Sequence, residues 1–195
     1  KLNVEEGNMI EKRYNLRYNI FSVNENNPFD GIINHLKSKF GDQIFSHINL
    51  TSSSIYNNEE RFQLKNIILF DNPDLFFHSN NSKDSWICFD FKNYRVIPTD
   101  YTIKSEKRWD KDGYHPKNWV IEGSNDQFKW ILLDERKNCS DLKGRSLVHT
   151  FKINNSCKSK KFQFIRFRQI GKNWKNDFYF IFDSFEIYGT LIQMN

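Results

Sequence analysis

Alanine is absent from this chain of 195 residues, and methionine occurs only twice. Alanine is the best helix former, and the abundant asparagine competes with the helix backbone, so long helices are disfavoured. An AT-rich genome would produce the same Asn, Lys, Ile and Phe bias, so both readings of the composition stay open. Cysteines number three, Cys88, Cys139 and Cys157, an odd count at irregular spacing that makes a poor disulfide framework. No apolar run approaches about 18 residues, which excludes a helical membrane span. Neither charge sign dominates: 29 Lys and Arg stand against 24 Asp and Glu, a net charge of +5. That balance does not by itself imply a nucleic-acid partner. Catalytic signatures are missing as well. There is no glycine-rich phosphate loop followed by Lys and Ser or Thr, no cysteine pair at zinc spacing and no H-E-x-x-H. His35, His47, His78, His115 and His149 are scattered, and nothing selects a Ser–His–Asp set among them. No enzyme activity is expected.

What is present is aromatic. The chain has 19 Phe, 8 Tyr and 5 Trp, together 16% of its residues. A disordered chain is poor in such residues. The length suits one domain that buries a core without staples. Residue 1 is Lys, so the sequence reads as a piece of a longer chain, and no charged-then-apolar leader opens it. The thiols favour the reducing, cytoplasmic interior of a cell.

Residues 1–27 are polar and Asn-rich and read as a linker or N-terminal arm, bounded by the turn signal Asn27-Pro28. Residues 28–195 read as the domain. Phe29, Ile32, Ile33 and Leu36 have helical spacing and predict a short helix near the N-terminus. Ile44 to Leu50 reads as a strand. Strand-like runs follow at Trp86 to Phe91, Val96 to Ser105, Trp119 to Gly123, Lys129 to Leu133, Leu147 to Ile153, Phe162 to Ile170 and Phe178 to Leu191. About eight strands with turn signals between them predict an all-β, antiparallel sandwich or barrel.

Six ordered segments are similar to the coagulation-factor type C, or discoidin, family. Ile48-Asn49-Leu50-Thr51-Ser52-Ser53-Ser54 resembles its first core strand ending in a Ser pair. Ser85 to Phe91 resembles the strand with Trp, an apolar run and Asp, and Pro98 to Ser105 falls where the next core strand belongs. Trp119 to Asp126, followed by Trp130, resembles the "V-x-G-S-x-D-x-x-x-W" hairpin. Phe164-Ile165-Arg166-Phe167-Arg168 resembles the late "Y-I-R-I" strand, and Phe185-Glu186-Ile187-Tyr188-Gly189 the closing "E-V-Y-G" strand. The wording looks most like an intracellular protist branch in which such domains follow a BTB domain. The resemblance implies an eight-stranded jelly-roll β-sandwich of galactose-binding-like fold. It implies a non-catalytic module that binds sugars, lipids or proteins through loops at one end. No cofactor is expected, although the resemblance admits a structural calcium ion, with oxygens from Asp71, Asp74 and Glu186. Extracellular members join their ends by a disulfide, and the cysteines here do not sit there. The loop Ile55 to Arg61 is mostly polar with two acids, so insertion into a membrane is not expected.

The candidate ligand-binding residues are Tyr56, Arg61, Asn81, Lys83, Arg108, Trp109, Asp110, Tyr114 and His115. They lie on three loops that the resemblance places at one end. Lys107 to Pro116 combines charges of both signs with two large aromatics, which suits sugar or peptide recognition. The alternative is that Trp109 and Tyr114 tuck back onto the sandwich. Trp86 and Trp119 read as core residues, and Asp90 and Glu186 as hydrogen-bonding partners of loop backbone. The basic run Lys158 to Lys175 reads as a strand with a charged outer face rather than a nucleic-acid stripe. The leading expectation is a protein- or ligand-recruiting arm of an intracellular, BTB-type ubiquitin-ligase adaptor. The alternative is a carbohydrate-binding module, and the isolated domain is expected to be monomeric. The cysteine spacing also makes a chemical prediction. Titration of the denatured protein without reductant should count three free thiols, and a count of one would reveal a bridge.

Overall fold

The computed structural model describes residues 17–70, 72, 74–153 and 159–194. The first 16 residues of the expected arm, and Asp71, Cys157 and Lys158, lie outside the described residues. In chain order the elements are β1 (Arg17–Phe21), α1 (Ile32–Phe40), α2 (Ile44–His47), β2 (Asn49–Ser52), β3 (Phe77–His78), β4 (Trp86–Asp90) and β5 (Tyr94–Lys104). Then come β6 (Trp119–Ser124), β7 (Ile131–Arg136), β8 (Val148–Lys152), β9 (Phe164–Gln169), β10 (Ile181–Phe182) and β11 (Ser184–Gln193). A four-stranded sheet in the order β1-β11-β5-β8 packs on a five-stranded sheet in the order β2-β4-β9-β6-β7. The pairings are antiparallel, and β3 and β10 form a short separate ribbon. This is the expected antiparallel sandwich with one short helix near its N-terminus.

Alternation makes the core. Ile87 and Phe89 of β4, Tyr101 and Ile103 of β5, Trp119 and Ile121 of β6, Ile165 and Phe167 of β9, and Phe185 and Ile187 of β11 are all buried. Successive strand residues face opposite sides, so each pair commits one face of its strand inward. Phe185 sits at the middle of this layer. Its ring stacks on Phe89 at 5.2 Å and on Phe167 at 5.5 Å from the opposite sheet, and on Tyr101 at 6.0 Å from its own.

Some expectations need correction. Residues 44–47 are a helical turn rather than the start of a strand, because Ile44 and Ile48, four apart, are the buried pair. Trp86 is only half-buried, since it faces outward opposite Arg168. Of residues 1–27, read as a linker or an arm, Arg17–Phe21 forms a strand whose backbone pairs with β11. The basic run resolves into an outer sheet face. Arg166 and Arg168 both pair with Glu122, at 2.8 and 2.9 Å, and the Arg166 guanidinium lies 3.8 Å over the Trp130 ring. Cys88 and Cys139 are free thiols, and burial pushes Cys88 up to about 12.

Helix α1 has no side-chain cap of its own at Gly31. The buried carboxylate of Glu186 on β11 substitutes for one. Its Oε1 accepts the N–H groups of Ile33 and Ile187, both at 2.8 Å, and its Oε2 accepts that of Asn34 at 2.9 Å. The approach is so close that a Cβ on Gly31 would stand 2.6 Å from the Ile187 carbonyl oxygen. Burial pushes Glu186 up to about 8 against the pull of these N–H groups. Glu186→Gln would turn an NH2 group toward N–H donors. It is expected to cost about 2 kcal/mol, read as a lower urea midpoint at unchanged slope. An unchanged midpoint would show that the carboxylate is not what holds α1.

Candidate functional site

The strand registers bring several loops to one end. Ser52 pairs with Ile87 next to Trp86, Trp86 pairs with Arg168, and Gln169 pairs with Trp119. In the other sheet Lys104 pairs with both Ser184 and Val148. The segments 53–85, 105–118 and 170–183 therefore leave the sandwich together. The Ser53 and Ser54 hydroxyls tie them down by accepting the N–H groups of Trp86 and Asn80 at 3.1 and 3.0 Å. Ser79 reaches the third segment, where its Oγ accepts the Phe180 N–H at 2.8 Å.

On this end lies a second, smaller apolar cluster, floored by buried Phe62, Phe76 and Ile181. A chain of half-buried rings covers it. Tyr56 stacks on His78 at 4.4 Å and meets Tyr179 edge-on at 5.9 Å. Tyr179 meets Tyr114 at 5.7 Å, Tyr114 meets Trp109 at 4.8 Å, and Trp109 meets Phe76 at 6.4 Å. Arg61 and Arg108 lie over the Phe62 and Phe76 rings, at 4.5 and 4.6 Å. Each is also oriented by a carboxylate, Arg61 by Glu59 at 2.7 Å and Arg108 by the buried Glu106 at 3.3 Å. Burial raises Glu106 above the usual carboxylate range, with the Arg108 side pulling it back.

Trp109, Asp110, Asp112, Gly113, Tyr114 and Lys175 line a recess of about 390 Å³. The 107–116 loop that makes it closes on itself at Gly113, where a Cβ would come within 2.2 Å of the Trp109 Cβ. His115 is buried beneath the loop. Its Nε2 lies 3.0 Å from the Trp109 and Asp110 carbonyl oxygens. It pins the loop and does not face the recess, which corrects its expected place among ligand contacts.

Of the other expected residues, Tyr56, Arg61, Arg108, Trp109, Asp110 and Tyr114 gather around the ring chain. Trp109 and Tyr114 pack against the apolar floor, as the alternative expected, and also line the recess. Asn81 and Lys83 stand on a flank with Phe178, whose N–H donates to Asn81 Oδ1 at 2.8 Å and whose ring lies 5.8 Å from Lys83 Nζ. Phe178 and Tyr179 are not among the expected contacts, and His78 entered only as the first residue of the expected 78–84 loop. A signal existed. Phe178-Tyr179-Phe180-Ile181-Phe182 is an unbroken apolar run, and strand alternation cannot turn all five inward. Of the calcium donors that the resemblance admits, Asp71 lies outside the described residues, and Asp74 and Glu186 do not converge. Asp74 is exposed and paired with Lys107 at 2.8 Å, Glu186 is sealed in the core, and no metal-holding cluster occurs among the described residues.

No family model matches the chain. Solved structures share its fold. A family 32 carbohydrate-binding module of Clostridium perfringens, in complex with GalNAc-β-1,3-galactose, aligns over 74% of this chain and 96% of its own, at 12% identity and a TM-score of 0.56. A third module from a family 31 glycoside hydrolase of the same organism aligns over 78% and 96%, at 15% identity and a TM-score of 0.55. The family 32 module of C. perfringens NanJ, in complex with galactose, aligns over 73% and 94%, at 13% identity and a TM-score of 0.53. The chain thus has the galactose-binding-like sandwich fold.

His78 makes the site sensitive to acid. It is 9% exposed, and neither ring nitrogen has a hydrogen-bond partner among the described residues. Burial first, and then the Arg61 charge, lower it from 6.5 to about 4. Between those values the unfolded chain binds a proton that the folded chain refuses. Stability is therefore complete above pH 6.5 and falls as pH drops toward 4, by about 3 kcal/mol in all. Urea unfolding across this range should show the loss, and His78→Phe should flatten it. An equal slope in both proteins would assign the loss elsewhere.

Proposed function

We propose that this chain is a non-catalytic carbohydrate-binding module whose ligand sits on the Trp109–Tyr114 recess. The observation that carries the reading is the ring chain from Tyr56 through Tyr179 and Tyr114 to Trp109, half-buried and held at one loop end of a rigid sandwich. Small-ligand sites are concave, mostly apolar and furnished with a few oriented polar groups. The recess volume falls within their range of roughly 300–1,000 Å³. Rings supply faces for the apolar side of a sugar, while the guanidinium and carboxylate groups supply its hydroxyl partners. The fold neighbours seen with galactose and with GalNAc-β-1,3-galactose support the same class of ligand.

The second reading is recruitment of a protein, with the domain as one arm of an intracellular BTB-type adaptor. The mixed charges of Arg61, Arg108, Asp110 and Asp112 on the rim favour it, because they would suit a peptide as well. The small, ring-lined recess favours the sugar.

Titration calorimetry with galactose, GalNAc-β-1,3-galactose and a glucose control tests the proposal. Saturable binding to a galacto-configured sugar is the expected result. Trp109→Ala should weaken it about thirtyfold, the effect of removing a central aromatic anchor worth about 2 kcal/mol. The same change should cost only about 1–2 kcal/mol of stability, so the variant stays folded at 25 °C. Absence of binding across this panel would overturn the carbohydrate reading.

A further inference from the structure

The charges at the binding end pair off almost completely. Arg61 is taken by Glu59, Arg108 by Glu106, Lys107 by Asp74 and Arg168 by Asp84, at 2.7, 3.3, 2.8 and 3.4 Å. Within the recess, Asp110 is held by Arg145 at 2.7 Å, and Asp112 faces Lys143 at 3.9 Å. Lys175, which lines the same recess, has no ion pair among the described residues. It is the one uncommitted charge in that recess.

Phe178, three positions after Lys175 in the chain, gathers two further cations. Lys83 and Lys172 come from loops 89 positions apart, yet both ammonium groups lie 5.8 Å from the centre of the Phe178 ring. Neither has a carboxylate partner among the described residues. The acid of this loop, Asp177, is folded back. Its Oδ1 accepts the Asn173 side-chain N–H at 2.6 Å and the Tyr179 N–H at 3.2 Å. Two ammonium groups drawn to one ring without a counter-anion repel each other. A negative group at Phe178 would relieve that repulsion, and Phe178 is next in the chain to Tyr179, whose ring meets Tyr114 of the recess at 5.7 Å.

We infer that the recess takes an acidic saccharide, one bearing a carboxylate or sulfate, and that Lys83, Lys172 and Lys175 bind its negative group. The inference rests on the carbohydrate reading and narrows it to a ligand class. Aromatic and arginine contacts hold the ring of the sugar. The lysine flank discriminates between charged and neutral forms of the same skeleton.

The test compares digalacturonic acid with galactobiose, which share a galacto skeleton and differ in the carboxylates. The acid should bind five- to tenfold more tightly at low salt. Its advantage should shrink toward parity as sodium chloride rises to about 0.5 M, where screening shortens to a few ångströms. The triple change Lys83→Gln, Lys172→Gln, Lys175→Gln should abolish the acid preference. Measured on that variant, digalacturonic acid and galactobiose should bind alike at low salt, and the melting temperature should match that of the unchanged protein. Galactose 6-sulfate against galactose repeats the comparison for the sulfate form. Galactobiose binding without an acid preference, or a preference that survives the triple change, would overturn this inference and leave the carbohydrate reading standing. Failure of both disaccharides and both monosaccharides to bind would overturn the two together.

Discussion

The carboxylate of Glu186 joins the parts of this molecule that local sequence would leave separate. It projects from β11, the strand that pairs with both β1 and β5, and it accepts backbone N–H groups from α1, more than 150 positions earlier in the chain. The helix has no cap from its own neighbourhood, so its start is set by a strand at the other end of the sequence. Its neighbours on β11, Phe185 and Ile187, are both core residues. The residue that fixes the helix is therefore itself fixed by the packing of both sheets. A buried group of this kind is costly when its partners are lost, so helix, closing strand and core stand or fall together.

The loop end that carries the ring chain is built on the opposite plan. It has its own small apolar floor, and Arg61, Arg108 and Asp110 are oriented by Glu59, Glu106 and Arg145 on the loops rather than by the sheets. Serine hydroxyls at 53, 54 and 79 stitch the loops to one another. The rings are thus held by short links to a rigid base, and the loop residues between them remain free to meet a ligand.

Much of the sandwich could be read from the sequence because its central strands alternate cleanly. Trp119 and Ile121, Ile165 and Phe167, and Phe185 and Ile187 announce an inward face at a period of two. Edge elements carry less of this pattern. Arg17–Phe21 buries only its last residue, so its strand is set by backbone pairing that side chains do not reveal. Ile44 and Ile48 fit a strand in a linear reading, but their spacing of four belongs to the helical turn that buries both. The site was legible where a loop concentrates unlike chemistries, as at 107–116. At Tyr179 only half a signal existed: five apolar residues in a row cannot all face inward, but nothing in the run marks which of them turns out. His115 failed in the other direction. A histidine among charged residues looks like a ligand contact, yet here its ring serves two loop carbonyls under the surface.

The pairing of β1 with β11 has a mechanical consequence. Arg17 lies opposite Gln193, while β11 begins at Ser184 beside the loops of the binding end. Ten residues of extended strand separate the two ends by roughly 30 Å. Anything joined to either terminus of the sandwich attaches at one pole, and the ring-lined recess looks out from the other. Under load, force applied at the two termini would unzip the hydrogen bonds of β1 from β11 one pair at a time, starting at Arg17 and Gln193.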